Sequence, residues 1–289
     1  MKEQEYKIEN IKSFELADIF DCGQCFRWNK QLDGSYTGIF GKNVMNVQKD
    51  GNIVTFKGIC DENIKEIVEN YFDLNRDYEE IKNKLSQIDE NVKKSIEYGK
   101  GIRILNQDLW EMIISFIISA NNNIPRIKGI IEKLSQKYGQ EIEWNGEKYY
   151  TFPTPEELKD VTIEDYRKLG LGFRDIRLYE TVHMILDKKV DLNKMQQNTN
   201  TYEVREQLLT LSGVGPKVAD CILLFSTLKR FEVFPIDVWV RRVMNELYIK
   251  NEDENKVSKM KLEKLAREKF GNLAGIAQQY LFYWIRSIS

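Results

Sequence analysis

Leu211-Ser212-Gly213-Val214-Gly215-Pro216-Lys217-Val218-Ala219-Asp220 is the stretch that decides this chain. Upstream of it Val204, Leu208, Leu209 and Leu211 fall near helical spacing. Downstream, Pro216 opens a second helix with apolar positions at Val218, Ala219, Ile222, Leu223 and Phe225. The pattern predicts two helices joined by a glycine hairpin. Gly213 and Gly215 admit turn conformations that a β-carbon disfavours and leave their amides bare, so the hairpin and the helix start behind it collect donors suited to a phosphate oxygen. Lys217 stands in the first turn of that helix, where the macrodipole and any burial disfavour an ammonium and favour the free amine that a nucleophile needs. Farther on, in Phe234-Pro235-Ile236-Asp237-Val238-Trp239, Pro235 holds Phe234 extended and Asp237 caps a helix beginning at Val238, a setting that stabilises its carboxylate.

A glycine hairpin, a helix-start lysine and a proline-introduced aspartate, in that order, resemble the helix-hairpin-helix plus Gly-Pro-Asp motif of the base-excision DNA glycosylase superfamily. Lys217 matches the lysine that marks its bifunctional members. The resemblance implies that Lys217 attacks the anomeric carbon of a damaged nucleotide to form a Schiff base, and that Asp237 stabilises positive charge developing on the sugar. It also implies backbone contacts to DNA at Gly213 and Gly215, and a monovalent or calcium ion held by the backbone oxygens of Leu209, Leu211 and Val214.

Four other segments resemble one branch of that superfamily, the 8-oxoguanine glycosylases. Gly23-Gln24-Cys25-Phe26-Arg27-Trp28 matches its Gly-Gln-x-Phe-Arg-Trp signature, and by that match the Gly23 carbonyl accepts the N7–H that 8-oxoguanine has and guanine lacks. Such an acceptor separates the two bases because oxidation turns N7 from acceptor into donor. Asn121-Asn122-Asn123-Ile124-Pro125-Arg126 matches a segment that enters the gap left by a flipped base, with Asn121 and Arg126 against the unpaired cytosine. Gly170-Leu171-Gly172-Phe173-Arg174 matches a loop that places an aromatic wedge, Phe173, and a second arginine, Arg174, beside the same cytosine. In the last helix Gln278 and Phe282 lie one turn apart on one face; by the resemblance the glutamine reads the Watson–Crick edge, the phenylalanine stacks on the base, and Cys221 closes the other side.

Two departures are expected to matter. Animal relatives carry tyrosine where this chain has Phe173, which keeps the stacking face and loses a hydroxyl, and histidine where it has Trp239, which removes or replaces a phosphate contact.

The chain has 289 residues, 42% of them apolar and 30% charged, enough for two or three modules. Net charge is −2, so DNA contact has to come from a local patch and oriented amides, not from overall basicity. No apolar run spans a bilayer and the polar start lacks the profile of a signal peptide, so an intracellular protein acting with the DNA is expected. Cys22 and Cys25 form a lone C-x-x-C, and no cysteine follows Cys221, which excludes the iron–sulfur cluster of some relatives. The single histidine, His183, argues against histidine-based catalysis or a multi-histidine metal site and is expected on a helix surface.

Strand-like runs at Cys25 to Trp28, Ser35 to Phe40, Val44 to Val47 and Ile53 to Phe56, separated by Asp33-Gly34, Gly41-Lys42 and Asp50-Gly51-Asn52, predict an antiparallel meander. Helical spacing follows at Ile64, Ile67, Val68 and Tyr71, then at Ile81, Leu85 and Ile88. Trp110 to Ile118 is an almost wholly apolar helix expected in the core, a hairpin is expected about Asn145-Gly146, and Pro155 to Leu158 reads as a helix start. Asn251 to Lys256 reads as a solvated charged connection. The expected fold is α+β: an antiparallel sheet domain with covering helices over residues 1–100, beside an all-helical body over 101–289. The expected partner is damaged double-stranded DNA, met as a monomer and without a cofactor. The competing readings are a helix-hairpin-helix glycosylase for another damaged purine and a catalytically silent DNA-binding protein.

Overall fold

The computed structural model describes residues 1–250, 253 and 257–288. The polar start forms a strand, β1 (Lys2–Glu9), in which Gln4, Tyr6 and Ile8 lean inward between charged neighbours. Its charges suit a sheet edge, where they discourage pairing with another chain. After α1 (Leu16–Phe20) come β2 (Trp28–Lys30), β3 (Tyr36–Phe40), β4 (Asn43–Asp50) and β5 (Ile53–Cys60). The five strands pair antiparallel in the order β1-β5-β4-β3-β2. The meander is the expected one, with two differences: β1 carries no strong apolar alternation and escapes the sequence pattern, and Cys25 to Arg27 lie outside the ladder, which starts at Trp28, while the side chains of Gln24 and Arg27 bond the carbonyls of Arg103 and Tyr150.

Helices α2 (Ile64–Tyr71), α3 (Tyr78–Ile88) and α4 (Glu90–Tyr98) follow. Phe20 and Phe72 fill the sheet's inner face, where Trp28 stacks 4.3 Å from Phe20. Of the predicted helical stripe in α3, Leu85 is buried whereas Ile88, at the helix end, is 46% exposed. The chain then crosses toward the body through Ile102, Ile104 and Leu105, all buried. Arg103 fastens this crossing, donating to the carbonyls of Ser13, Asp73 and Lys12 at 2.9, 2.9 and 3.1 Å.

The body is built on α5 (Leu109–Ser119), whose residues from Leu109 to Ile118 are all buried. Around it lie α6 (Ile124–Tyr138), the hairpin β6 (Glu141–Trp144) and β7 (Glu147–Tyr150), α7 (Ile163–Lys168), α8 (Asp175–Leu186), α9 (Leu192–Gln197), α10 (Thr201–Leu209), α11 (Pro216–Phe225), α12 (Val238–Met244), α13 (Lys259–Phe270) and α14 (Ala274–Ile288). Left-handed backbone at Asn145 and Gly146 makes the tight turn of the hairpin. Pro155 to Leu158 makes one turn that does not continue, and the helix starts instead at α7, where Thr162 and Asp165 form a capping box. His183 lies on α8 but is half-buried, its ring 4.1 Å from that of Tyr179. Asp253 apart, the charged connection expected over 251–256 lies outside the described residues. Helix α14 packs back on α4, with Tyr98 and Tyr283 5.3 Å apart, so the end of the chain touches its first hundred residues.

One buried acid gives the fold a pH dependence. Glu111 on α5 is buried, which pushes its carboxyl up to about 7 although Arg27 pulls the other way. The folded protein therefore keeps this proton to near neutrality while the unfolded chain releases it near pH 4.5, and the contribution is lost as pH rises between the two. Stability is expected to fall on the order of 3 kcal/mol across that window from this group alone. Glu111→Gln should flatten the slope in urea titrations run at a series of pH values.

Candidate active site

Four segments distant in sequence meet at one cavity. The first is the hairpin. Gly213 adopts a φ of +84°, and a Cβ there would stand 2.9 Å from Cδ of Arg177 and 3.2 Å from Cγ2 of Ile117, so this position requires glycine. Gly215 does not share that conformation: at φ −92° it is the N-cap of α11, and a Cβ would meet open space. Only the first glycine is demanded by the turn; the second leaves the helix start uncovered. Pro216 and Lys217 then occupy the first turn of α11.

The half-buried Lys217 reaches inward, its Nζ 5.6 Å from the ring centre of Phe116 on α5. Cys221 follows one turn later on the same face. Burial pushes its thiol up to about 11, against the pull of Lys217, so it stays protonated and offers a polarisable wall, not a nucleophile. Asp237, from the second segment, caps α12 as the sequence implies, accepting from the Val240 amide at 2.8 Å. It lines the same cavity as Lys217.

The third segment is the loop after α1. Gly23 stands at φ +89°, in the left-handed region. Its neighbour Gln24 is completely buried, donating to the carbonyls of Ile19 and Arg103 at 2.9 and 2.7 Å and accepting from the Leu105 amide at 2.9 Å. Phe26 meets Phe116 edge-on at 5.7 Å, and the Trp28 indole donates to the Tyr71 hydroxyl at 2.9 Å. The Gly-Gln-x-Phe-Arg-Trp run thus works as a set of anchors around one unanchored glycine.

The fourth segment is α14. Gln278 is only 5% exposed, and its Oε1 has no hydrogen-bond partner. A buried amide oxygen left unpaired costs about 1–3 kcal/mol, and Gln278 lines the cavity that Lys217 and Asp237 also line. Phe282, half-buried, lies one turn on. The cavity bounded by these groups holds about 50 Å³, room for one or two waters. That volume is smaller than a purine.

On the adjoining surface Asn121 is exposed at φ +51°, Arg126 is exposed and donates to the Gly170 carbonyl at 3.2 Å, and Phe173 is 53% exposed. Arg174 lies beside the wedge, its guanidinium 4.3 Å from the Phe173 ring. It is 2% exposed and donates to the carbonyls of Ala120, Asn121 and Leu171, at 2.8, 2.7 and 3.1 Å. Those bonds fix the turn that carries Asn121. Arg177 was not singled out by the sequence. Its guanidinium lies 5.0 Å from the Phe173 ring while its stem crosses Gly213, so it bridges wedge and hairpin. Gln279, Phe116 and Phe225 also line the cavity without a local sequence signal that separates them from ordinary core.

Among the described residues, no three His, Cys, Asp or Glu side chains gather as a metal site would require. All four cysteines are free and buried, and burial pushes the Cys22 thiol up to about 12. No described helix is long and apolar enough to cross a membrane.

Comparison with known proteins bears on this geometry directly. Residues 7–113 match the family model of the 8-oxoguanine DNA glycosylase N-terminal domain, and residues 114–270 match the HhH-GPD superfamily of base excision DNA repair proteins. The chain belongs to the 8-oxoguanine glycosylase branch of the HhH-GPD superfamily. A probable N-glycosylase/DNA lyase of Methanothermobacter thermautotrophicus is 34% identical over an alignment of 239 positions that covers 76% of this chain and 74% of that protein. The apo form of the Clostridium acetobutylicum 8-oxoguanine glycosylase/lyase is 46% identical, with a TM-score of 0.91 and 98% of each chain covered. The same enzyme in complex with double-stranded DNA containing cytosine opposite 8-oxoguanine is 45% identical, with a TM-score of 0.92, covering all of this chain and 98% of the other. Neither matched region holds the whole site: Gly23 lies in the first, Lys217 and Asp237 in the second, and Gln278 and Phe282 beyond both.

Proposed function

We propose that this 8-oxoguanine glycosylase family member binds damaged duplex DNA, extrudes 8-oxoguanine, excises it through Lys217 and cleaves the strand by β-elimination. The observation that carries the reading is the orphaned Oε1 of buried Gln278, in a cavity that Lys217, Asp237, Gly23, Cys221 and Phe282 also line. The Watson–Crick edge of a guanine derivative carries two donors, N1–H and N2–H, that an amide oxygen accepts. Gly23 offers a backbone carbonyl for the N7–H found only in the oxidised base.

In the proposed reaction Asn121, Arg126 and Phe173 fill the gap left by the extruded nucleotide, with Arg174 holding the Asn121 turn. The Lys217 amine attacks C1′ as the bond from C1′ to the base breaks, and the base leaves with the bonding pair. Asp237 offsets the charge that develops on the sugar. Opening of the sugar yields an imine, which acidifies the C2′ proton; loss of that proton expels the 3′ phosphate. The bare amides about Gly213 and Gly215 and the start of α11 receive a DNA phosphate. The same reading assigns a monovalent or calcium ion to the carbonyls of Leu209, Leu211 and Val214, and a monomer acting inside the cell, with residues 1–100 and 101–289 as its two units.

Borohydride trapping on duplexes with 8-oxoguanine opposite each normal base tests the reading. A covalent adduct supports it. Absence of adduct with DNA binding intact overturns it in favour of another lesion or a binding-only role.

Phe173 sets the strength and selectivity of capture. Base–aromatic stacking is worth about 1–3 kcal/mol, so Phe173→Ala should weaken binding to an 8-oxoguanine·cytosine duplex by about 5- to 150-fold in fluorescence anisotropy. Phe173→Tyr, which restores the hydroxyl of the animal relatives, should keep affinity and sharpen the preference for cytosine.

A further inference from the structure

The groups that read the base stand on two elements, Gly23 on the loop after α1 and Gln278 with Phe282 on α14. What keeps them in register is a separate question from what touches the base. Gln278, Phe282 and Arg286 are spaced by four residues, so they form one stripe along α14. The Arg286 guanidinium lies 5.4 Å from the centre of the Phe282 ring. Its Nη2 donates to the Asp21 carbonyl at 2.5 Å, and its Nη1 stands 3.3 Å from where a Cβ on Gly23 would be. Phe282 lines the cavity and Arg286 does not.

The next carbonyl along the loop is held from the same helix. Gln279 donates through Nε2 to the Cys22 carbonyl at 2.8 Å. Two successive carbonyls, of Asp21 and Cys22, are therefore bonded to α14, and the residue that follows them is Gly23. The Asp21 carboxylate accepts from the Tyr36 hydroxyl. Among the described residues no carboxylate forms an ion pair with Arg286, so its fork is engaged by a backbone carbonyl and an aromatic face, the two surfaces a planar guanidinium suits and an ammonium does not.

We infer that Arg286 is a positioning residue for lesion recognition: by clamping the Asp21 carbonyl and backing Phe282, it sets the distance between the Gly23 acceptor and the stacking wall. The inference rests on the reading of this cavity as the 8-oxoguanine pocket. It separates two activities, since an abasic site has no base to place and needs only Lys217 and the DNA contacts.

The test compares the intact protein with Arg286→Met, which keeps the apolar stem, and Arg286→Lys, which keeps the charge but not the plane. Each is assayed for single-turnover excision from an 8-oxoguanine·cytosine duplex and for cleavage at a preformed abasic site. Arg286→Met should excise about tenfold or more slowly, the scale of one charge-assisted hydrogen bond, while abasic cleavage stays within about twofold. Arg286→Lys should recover only part of the loss. Excision by Arg286→Met at the intact rate overturns the inference, as does a parallel fall in abasic cleavage, which would mean a general structural role. If the intact protein cleaves abasic sites but excises no 8-oxoguanine, the pocket reading itself fails, an outcome distinct from either.

Discussion

Lys217→Gln is expected to abolish the borohydride-trapped adduct, base excision and strand cleavage together. All three run through one amine, and removing a covalent nucleophile costs on the order of 10⁴ or more in rate. The fold should survive the change. Lys217 is half-buried in the first turn of α11, and its neighbours are the Phe116 ring and the Cys221 thiol, neither of which needs a charged partner. Glutamine keeps most of the stem against that ring. Binding to an 8-oxoguanine duplex by the variant should remain close to that of the intact protein, since the contacts assigned to Asn121, Arg126 and Phe173 are untouched. Residual strand cleavage within about tenfold of the intact rate would mean that another amine does the chemistry.

Asp237→Asn separates the structural work of this residue from its charge. Asparagine caps a helix about as well as aspartate, so the bond to the Val240 amide at 2.8 Å can persist and α12 should start where it does now. The negative charge opposite the developing sugar cation is lost. Removing one preorganised electrostatic group of this kind costs about 10²–10³ in the chemical step. Single-turnover excision should fall by that factor with the melting temperature nearly unchanged, and a slow borohydride adduct should still form because Lys217 remains. Excision within a few-fold of the intact rate would reduce Asp237 to a helix cap.

Much of this protein is legible in the chain because the signals are local. The hairpin, the Asp237 cap and the tight turn at Asn145-Gly146 each depend on residues within a few positions of one another. Such energies are fixed by backbone conformation and nearest neighbours, so spacing alone carries them. The almost wholly apolar run from Trp110 to Ile118 is likewise readable, since a helix apolar on every side has only the core to occupy. Where local signals conflict with context they mislead. Gly215 shares a turn with Gly213 but not its conformation, and Pro155 opens a single turn that nothing downstream continues.

Sequence by itself determined the family motif, the order of lysine and aspartate, the meander and the residues that could meet a flipped base. Tertiary structure decided how those residues are held. Arg174 bonds the carbonyls of Ala120 and Asn121 beside the Phe173 ring, and Gln278 is the amide whose oxygen is left unpaired. The clamp of Arg286 and Gln279 on Asp21 and Cys22 joins residues more than 250 positions apart. No local energy encodes such a pairing. It exists only because α14 packs against the first hundred residues, and buried hydrogen-bond partners are then chosen by proximity in space.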